Sequence, residues 1–430
     1  MSMRSTRDGS DAIPVSAAIA AGLAPDGGLY MPDVMPRFTP EDFALDTTLA
    51  QVAYRLLKPF FAGDVLQPRL AEICDKAFAV EPPLRPFGNA GDYILELFHG
   101  PTAAFKDYGA GFLAGCLSVL PPGDKPLTIV VATSGDTGAA VAAAFHRKPG
   151  IRVAILYPDG RVSPRQAHQL GCFGDNVRAF RIDGSFDDCQ HLAKDLLGDA
   201  GFRDEVPLGS ANSISIGRLL PQMAYYAHAA LVHSRETGRP LNFVVPTGNL
   251  GNALACLLAR RMGLPIGALV LANNANDGLA RFFAGQDYQP RSSIATLANA
   301  MDVGAPNNFE RLQWLYPDAD SLRQALRAGT VDDAAIRTTI VDVHQRFGEV
   351  ICPHTACAVQ VLRWMRERGL KGDWCMVATA HPAKFPDVVE PLIGCEVPLP
   401  AALATMLARD SHAEPLANDA RQLRQRLRDW

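Results

Sequence analysis

With 430 residues, nearly half of them hydrophobic and a fifth charged, the chain is too long for one ordinary core, and about two or three packed subdomains are expected. A formal net charge of only -4 suits a soluble protein and argues against nucleic acid as a partner. Nine cysteines, an odd number with no C-x-x-C pair, sit mostly in apolar runs such as "GFLAGCLSVL", so they read as core residues in a reducing cytosol.

The opening "MSMRSTRDGSDAIPVSAAIAAGLA" sets Arg4 and Arg7 before an Ala-rich run, as a secretory leader would. Asp8 and Asp11 interrupt it and its apolar length is marginal, so it reads as a packed N-terminal helix. Residues 1–86 read as a mainly helical N-terminal domain ending at the proline-rich "VEPPLRPFGNAGD". Buried-strand patterns then recur ahead of glycine-bearing turns and helical stretches: "DYILELF", "LTIVVATS", "IRVAILYP", "LNFVVPTG", "IGALVLAN" and "DWCMVATA". This alternation predicts an α/β chain with two open, mostly parallel lobes covered on both faces. The expected division is a large domain over 87–126 and 211–400, a smaller mobile α/β lobe over 127–210, and a helical tail over 401–430. The end of that tail, "LANDARQLRQRLRDW", carries charge on most sides and reads as a solvated closing helix. No stretch is suited to spanning a bilayer, since "LACLLARRMGLPIGALVL" has Arg260 and Arg261 in its middle.

Four segments carry chemistry, each at the end of a predicted strand, where open parallel sheets bind ligands. In "FHGPTAAFKDYG" a helix is expected to start near Lys106, and both the helix N-terminus and apolar surroundings push the lysine toward a neutral, nucleophilic amine. A surface lysine snorkelling beside a helix start remains an alternative on this segment alone. In "ATSGDTGAAVAAAF" the turn offers backbone amides with the Ser134 and Thr137 hydroxyls, but the Asp136 carboxylate suits a hydrogen-bond donor better than a phosphate. In "VPTGNLGNALA" the loop from Thr247 through Gly248, Asn249, Leu250, Gly251 and Asn252 has little bulk and no carboxylate, a good cup for a phosphate dianion, or else a simple glycine corner. It matches neither the triphosphate nor the dinucleotide glycine pattern. "WCMVATAHPAKF" places the Thr379 hydroxyl at a fourth strand end. An amine, a phosphate cup and neutral polar groups together suit pyridoxal 5'-phosphate.

The runs "GLAPDGGLYMP", "HGPTAAFKDYG", "ATSGDTGAAVAAAF", "SANSISIGRLLPQ", "VPTGNLGNALA", "LANAMDVGAPNNFER" and "ATAHPAKFPDVV", spread over about residues 22 to 390, make the chain resemble the threonine synthases. These are fold-type II, tryptophan-synthase-β-like pyridoxal-phosphate enzymes. The resemblance implies that Lys106 is the Schiff-base lysine and proton shuttle, that Gly248 through Asn252 hold the cofactor phosphate, and that Asp136 contacts the cofactor near its imine and phenolic oxygen. Thr379 would meet the pyridine nitrogen, a neutral partner that favours elimination and replacement over transamination. Asn212, Ser213 and Arg218, with Ser134 and Thr137, would bind the phosphate of the substrate, for which an arginine fork and short hydroxyls are apt. The implied reaction makes L-threonine and phosphate from O-phospho-L-homoserine and water.

Two positions depart from the family pattern: Leu250 stands where relatives often carry Phe, and Cys352, before Pro353, where they usually carry an acidic residue. His99, His354 and His381 read as structural, and no metal-ligand spacing is visible. The chain is expected to act in the cytoplasm as a monomer or homodimer, with a small-molecule substrate and neither membrane nor nucleic acid. The rival readings are another fold-type II lyase or dehydratase and a non-catalytic ligand-binding homologue.

Overall fold

Runs such as "IRVAILYP" and "IGALVLAN" have no polar face, so they are stable only in sheets covered on both sides. The structure, a computed structural model, describes residues 1–430 apart from Asp8, Asp46 and Pro122, so the interrupting role read for Asp8 lies outside the described residues. Its strands are, in chain order, β1 (Ser2–Ser5), β2 (Ile13–Pro14), β3 (Tyr30–Pro32), β4 (Leu84–Pro86), β5 (Asp92–Glu96), β6 (Leu127–Ala132) and β7 (Ile151–Pro158). There follow β8 (Val177–Asp183), β9 (Leu208–Ser210), β10 (Leu241–Pro246), β11 (Ile266–Asn273), β12 (Arg327–Thr330), β13 (Trp374–Ala378) and β14 (Glu414–Ala417).

A six-stranded sheet has the order β12-β11-β10-β13-β5-β4 and is parallel except for its edge strand β4. A five-stranded sheet, β14-β8-β7-β6-β9, is parallel throughout. The chain leaves the carboxyl ends of β5, β10 and β13 in the first sheet, and of β6 and β9 in the second, through the segments that line one crevice between the sheets. Parallel pairing therefore gathers the chemistry at one place, because every strand delivers its following loop to the same end.

The N-terminal region carries its helices as expected, with a small sheet that the helical reading did not contain. β1, β2 and β3 form a small antiparallel sheet, and the opening run is helical only over Val15–Ala21. Strands of two to four residues are too short to show alternation, yet Met3, Tyr30 and Met31 are buried in the same core as the helices Leu49–Leu57 and Leu70–Ala77. This region buttresses the helix Lys106–Val119. A side chain at Gly115 would meet Ile73 at 2.9 Å, and Phe112 packs on Phe61 and Phe78 at 6.1 and 6.5 Å between ring centres.

The tail is not a solvated closing helix. β14 pairs with β8 as the edge of the five-stranded sheet, and Leu423 and Leu427 of the helix Ala420–Arg428 are buried against Phe180, Leu196 and Phe202. Two leucines spaced by four residues make a narrow apolar stripe that a charge count hides. Charges beside it pair with the same lobe, Arg424 with Asp199 at 3.0 Å and Arg428 with Glu205 at 2.7 Å. Replacing Leu423 by Ala should destabilise the protein by about 3 kcal/mol in denaturant titration, the usual loss for a buried leucine, whereas Arg428→Ala should leave the midpoint nearly unchanged.

Candidate active site

The loop between β5 and the helix Lys106–Val119 is shaped by its own sequence. The Asp107 carboxylate accepts the Thr102 amide at 2.9 Å and the Thr102 hydroxyl at 2.6 Å, closing a tight turn in which Ala103 adopts φ 56°. The Phe105 and His381 amides donate to the carbonyls of Thr379 and Ala103, tying this loop to the end of β13. Lys106 is thereby held with Nζ 4.9 Å from the Phe105 ring centre and 4.0 Å from Asp136. Burial lowers its pKa to about 8; Asp136 opposes the shift, while Arg218 and Lys384 add to it.

After β10 the chain turns through Leu250, a buried leucine at φ 64°, a backbone conformation costing on the order of 1–3 kcal/mol that persists where surrounding structure imposes it. Among the described residues nothing accepts from the amides of Gly248, Asn249 and Leu250, and the helix Gly251–Arg261 adds its own unpaired first-turn amides. Asn249 fixes the loop sideways, donating to Ser213 Oγ at 2.6 Å and accepting the Asn307 amide at 2.6 Å. At Gly248 a Cβ would meet the Met301 backbone at 2.7 Å, so only glycine fits.

After β6, Thr133 Oγ1 accepts the amides of Gly135 and Gly138, each at 3.0 Å, which forms the turn that starts the helix Asp136–Phe145. Asp136 is buried and accepts from Lys384 Nζ at 2.7 Å and Gln166 Nε2 at 2.9 Å. Burial alone would raise its pKa; the charges of Lys384 and Lys106 outweigh that and hold it ionised, well below the usual carboxylate range.

Arg218, in the short helix Ile216–Leu219, is buried with no carboxylate within ion-pair reach among the described residues. Its Nη1 donates to the Ala211 carbonyl at 2.6 Å and its Nε is unpartnered. It fits because Gly109 has no side chain, a Cβ there lying 3.1 Å from Nε. Asn212 donates to the Ala132 carbonyl at 2.7 Å, bringing the ends of β6 and β9 together.

All thirteen residues singled out in the sequence, Lys106, Ser134, Asp136, Thr137, Asn212, Ser213, Arg218, Gly248, Asn249, Leu250, Gly251, Asn252 and Thr379, line one cavity. His354 also lines it, accepting the Ala300 amide at 3.1 Å; burial lowers its pKa to about 4, so it is neutral. Cys352 caps the helix Pro353–Glu367, its sulfur accepting the Thr355 amide at 3.4 Å.

The sequence reading missed Lys384, Gln166 and Arg311. A lysine locked between Pro382 and Phe385 in "AHPAKF" was a signal for the first, and a lone cation in the shared run "PNNFER" for the last. Arg311 is fully buried and donates to the carbonyls of Tyr30 (3.0 Å), Ser213 (3.3 Å) and Ile214 (2.7 Å) and to Asn308 Oδ1 (2.6 Å). Asn308 in turn donates to the Asn249 carbonyl at 2.9 Å. Gln166 carried no signal.

The cavity fits pyridoxal phosphate. It supplies a nucleophilic amine, a cup of unpaired amides free of carboxylate, and the unpartnered buried Nδ2 of Asn252, whose Oδ1 is already held by the hydroxyls of Tyr225 and Tyr226 at 2.7 and 2.8 Å.

Comparison with known proteins agrees with this chemistry. Residues 91–380 match the family of pyridoxal-phosphate dependent enzymes, residues 2–78 the threonine synthase N terminus, and residues 355–426 the threonine synthase C-terminal family. The threonine synthase of Serratia marcescens is 39% identical over 406 residues, 94% of each chain. The crystal structure of threonine synthase from Escherichia coli superposes with a TM-score of 0.92 at 36% identity, covering 100% of both chains. The pyridoxal-phosphate-bound threonine synthase from Brucella melitensis gives 0.90 at 36% identity, covering 100% of this chain and 99% of its own.

Gly248→Ala should displace the loop and weaken retention of pyridoxal phosphate about 10-fold or more in absorbance titrations, with little change in melting temperature. Reaction of Lys106 with amine reagents should rise with a midpoint near pH 8, the neutral amine predominating above it and the ammonium below. A midpoint near the ordinary lysine value would mean that burial does not activate the amine.

Proposed function

The chain belongs to the threonine synthase family of pyridoxal-phosphate-dependent enzymes, and on that premise we propose that its cavity converts O-phospho-L-homoserine and water to L-threonine and phosphate by γ-elimination and β-addition, the last step of threonine biosynthesis. The observation that supports this most is a pair of anion sites flanking one amine. The cup at 248–252 and the unpaired Arg218 guanidinium lie in the same cavity as Lys106, and cofactor and substrate each bring one phosphate.

Each residue then has a distinct duty. Lys106 captures the cofactor aldehyde and, once released, moves protons at Cα and Cγ of the substrate, for which an amine near neutrality is suited. The Gly248–Asn252 amides bind and orient the cofactor phosphate, Asp136 accepts a hydrogen bond beside Lys106, and the Thr379 hydroxyl addresses the ring nitrogen without transferring a full charge. Arg218, Asn212, Ser213, Ser134 and Thr137 hold the substrate phosphate and then the leaving phosphate. When bound, pyridoxal phosphate supplies delocalisation of the negative charge that develops on substrate carbons. The smaller lobe, 127–210, carries Ser134, Asp136 and Thr137, so its closure over the substrate excludes bulk water while admitting the one water that adds at Cβ. We place the enzyme in the cytoplasm as a monomer or homodimer; no helix among the described residues is long and apolar enough to cross a membrane.

The test is phosphate release from O-phospho-L-homoserine by cofactor-loaded protein, set against turnover of threonine and O-acetylserine. Phosphate and threonine should appear in equal amounts from the first substrate, and Lys106→Ala should abolish both along with the visible absorbance of the loaded protein. Preferred turnover of threonine would identify a dehydratase instead. Arg218→Met should raise KM for phosphohomoserine by about 10- to 100-fold, as loss of hydrogen bonds to a charged group does, with cofactor affinity unchanged.

A further inference from the structure

Asp136 and Lys384 come from different sheets. Asp136 follows β6 of the five-stranded sheet, and Lys384 ends the 3-10 helix Pro382–Lys384 that follows β13 of the six-stranded one. The Lys384 side chain is fully buried, and its Nζ meets Asp136 Oδ1 at 2.7 Å and the Thr102 carbonyl at 2.8 Å, while Lys106 approaches the other oxygen, Oδ2, at 4.0 Å. The main chain around Lys384 is also gripped from the smaller lobe: Ser163 Oγ donates to the Lys384 carbonyl at 2.8 Å and Arg165 to that of Ala383 at 2.5 Å.

One carboxylate thus has two ammonium neighbours, and the chemistry of Lys106 explains the second. An amine that captures an aldehyde and moves protons cannot keep its positive charge. At each moment when Lys106 is neutral, Asp136 would be a buried carboxylate with no cation, a state that costs several kcal/mol or forces the group to take up a proton. Lys384 does not line the cavity, and its ammonium is held between Asp136 and the Thr102 carbonyl. The other ionisable groups facing the pair are Asp107 on the helix Lys106–Val119, Arg218 on Ile216–Leu219, Cys352 and His354 at the start of Pro353–Glu367, and His381, which burial keeps neutral, at the start of the 3-10 helix that carries Lys384. His354 is neutral, and Arg218 belongs to the substrate end of the cavity. Neither replaces Lys384.

We propose that Lys384 is a positioning residue for Lys106: it is the permanent counter-charge that keeps Asp136 ionised and aimed across the two lobes while Lys106 changes charge. This rests on reading Lys106 as the reacting amine. Lys384 also acts on that amine directly, since a second cation sharing the carboxylate lowers the affinity of Lys106 for its proton.

The experiment follows capture of pyridoxal phosphate by cofactor-free protein, trapped with borohydride at Lys106 and quantified by mass spectrometry from pH 6 to 10. Lys384→Met should move the midpoint up by about one pH unit or more, because Asp136 then serves Lys106 alone. Lys384→Arg should keep the original midpoint. Affinity for pyridoxine 5'-phosphate, which has the phosphate but no aldehyde, should be unchanged in both variants. A folded Lys384→Met protein with an unmoved midpoint overturns the proposal, since a merely structural lysine would change the yield and not the pH dependence. If Lys384→Met fails to fold, Asp136→Asn/Lys384→Met should restore folding by removing the stranded carboxylate; failure of the double variant as well overturns the proposal. Absence of any adduct in the unaltered protein would overturn the functional reading itself, whereas trapping with unshifted variants removes only this inference.

Discussion

The Arg311 guanidinium is buried with no carboxylate within ion-pair distance among the described residues, and peptide dipoles take the place of water around it. Burial lowers its pKa to about 9, so it remains charged near neutrality. Its donors reach the N-terminal region at Tyr30, the strand-end loop at Ser213 and Ile214, and, through Asn308, the cup at Asn249. Three segments far apart in the chain are therefore fixed to one rigid fork before any ligand arrives. The amides of Gly248 to Leu250 remain unpaired because Arg311 and Asn249 have used up the alternatives that could have drawn this loop into another shape. Preorganisation of this kind removes the ordering entropy that a floppy glycine loop would lose on binding a phosphate.

The same economy of charge runs through the cavity. Lys106 and Lys384 share a single strongly ionised carboxylate, Asp136, with Arg218 in the same cavity and Arg311 behind the cup, while burial raises Asp107 to a pKa of about 6. A protein whose overall balance is slightly acidic has concentrated cations where two phosphate groups would sit. The excess is tolerable because each cation is solvated by carbonyls or by Asp136, and bound anions complete the neutralisation.

Much of this was legible in the sequence. The strand runs carry a strong signal because parallel sheets buried on both faces demand continuous apolar stretches, and the loops after β5, β6, β10 and β13 carry the residue types that their ligands require. Lys106 could be singled out because an amine among alanines and a proline has few bland explanations. Lys384, Gln166 and Arg311 escaped because the partners that tie them to the site, Thr102, Asp136 and Tyr30, lie 30 to 282 residues away and no local rule relates them. The small N-terminal sheet escaped because its strands are too short to show a period, and the closing helix was misread because two leucines among arginines look like a solvated face until Phe180 and Phe202 cover them.

The edge position of β14 has a consequence for the order in which the molecule can be made. By residue 210 the other four strands of the five-stranded sheet have been synthesised, yet the outer edge of β8 and the apolar face around Phe180, Leu196 and Phe202 stay uncovered until residues 414–430 leave the ribosome. The Trp430 ring centre then lies 4.7 Å from the Arg178 guanidinium on β8. All strands of the six-stranded sheet have emerged by residue 378, so that half can be in place while its partner still waits. The lobe that carries Asp136 is completed last, and an interrupted chain would hold an amine and a phosphate cup with no finished cover over them.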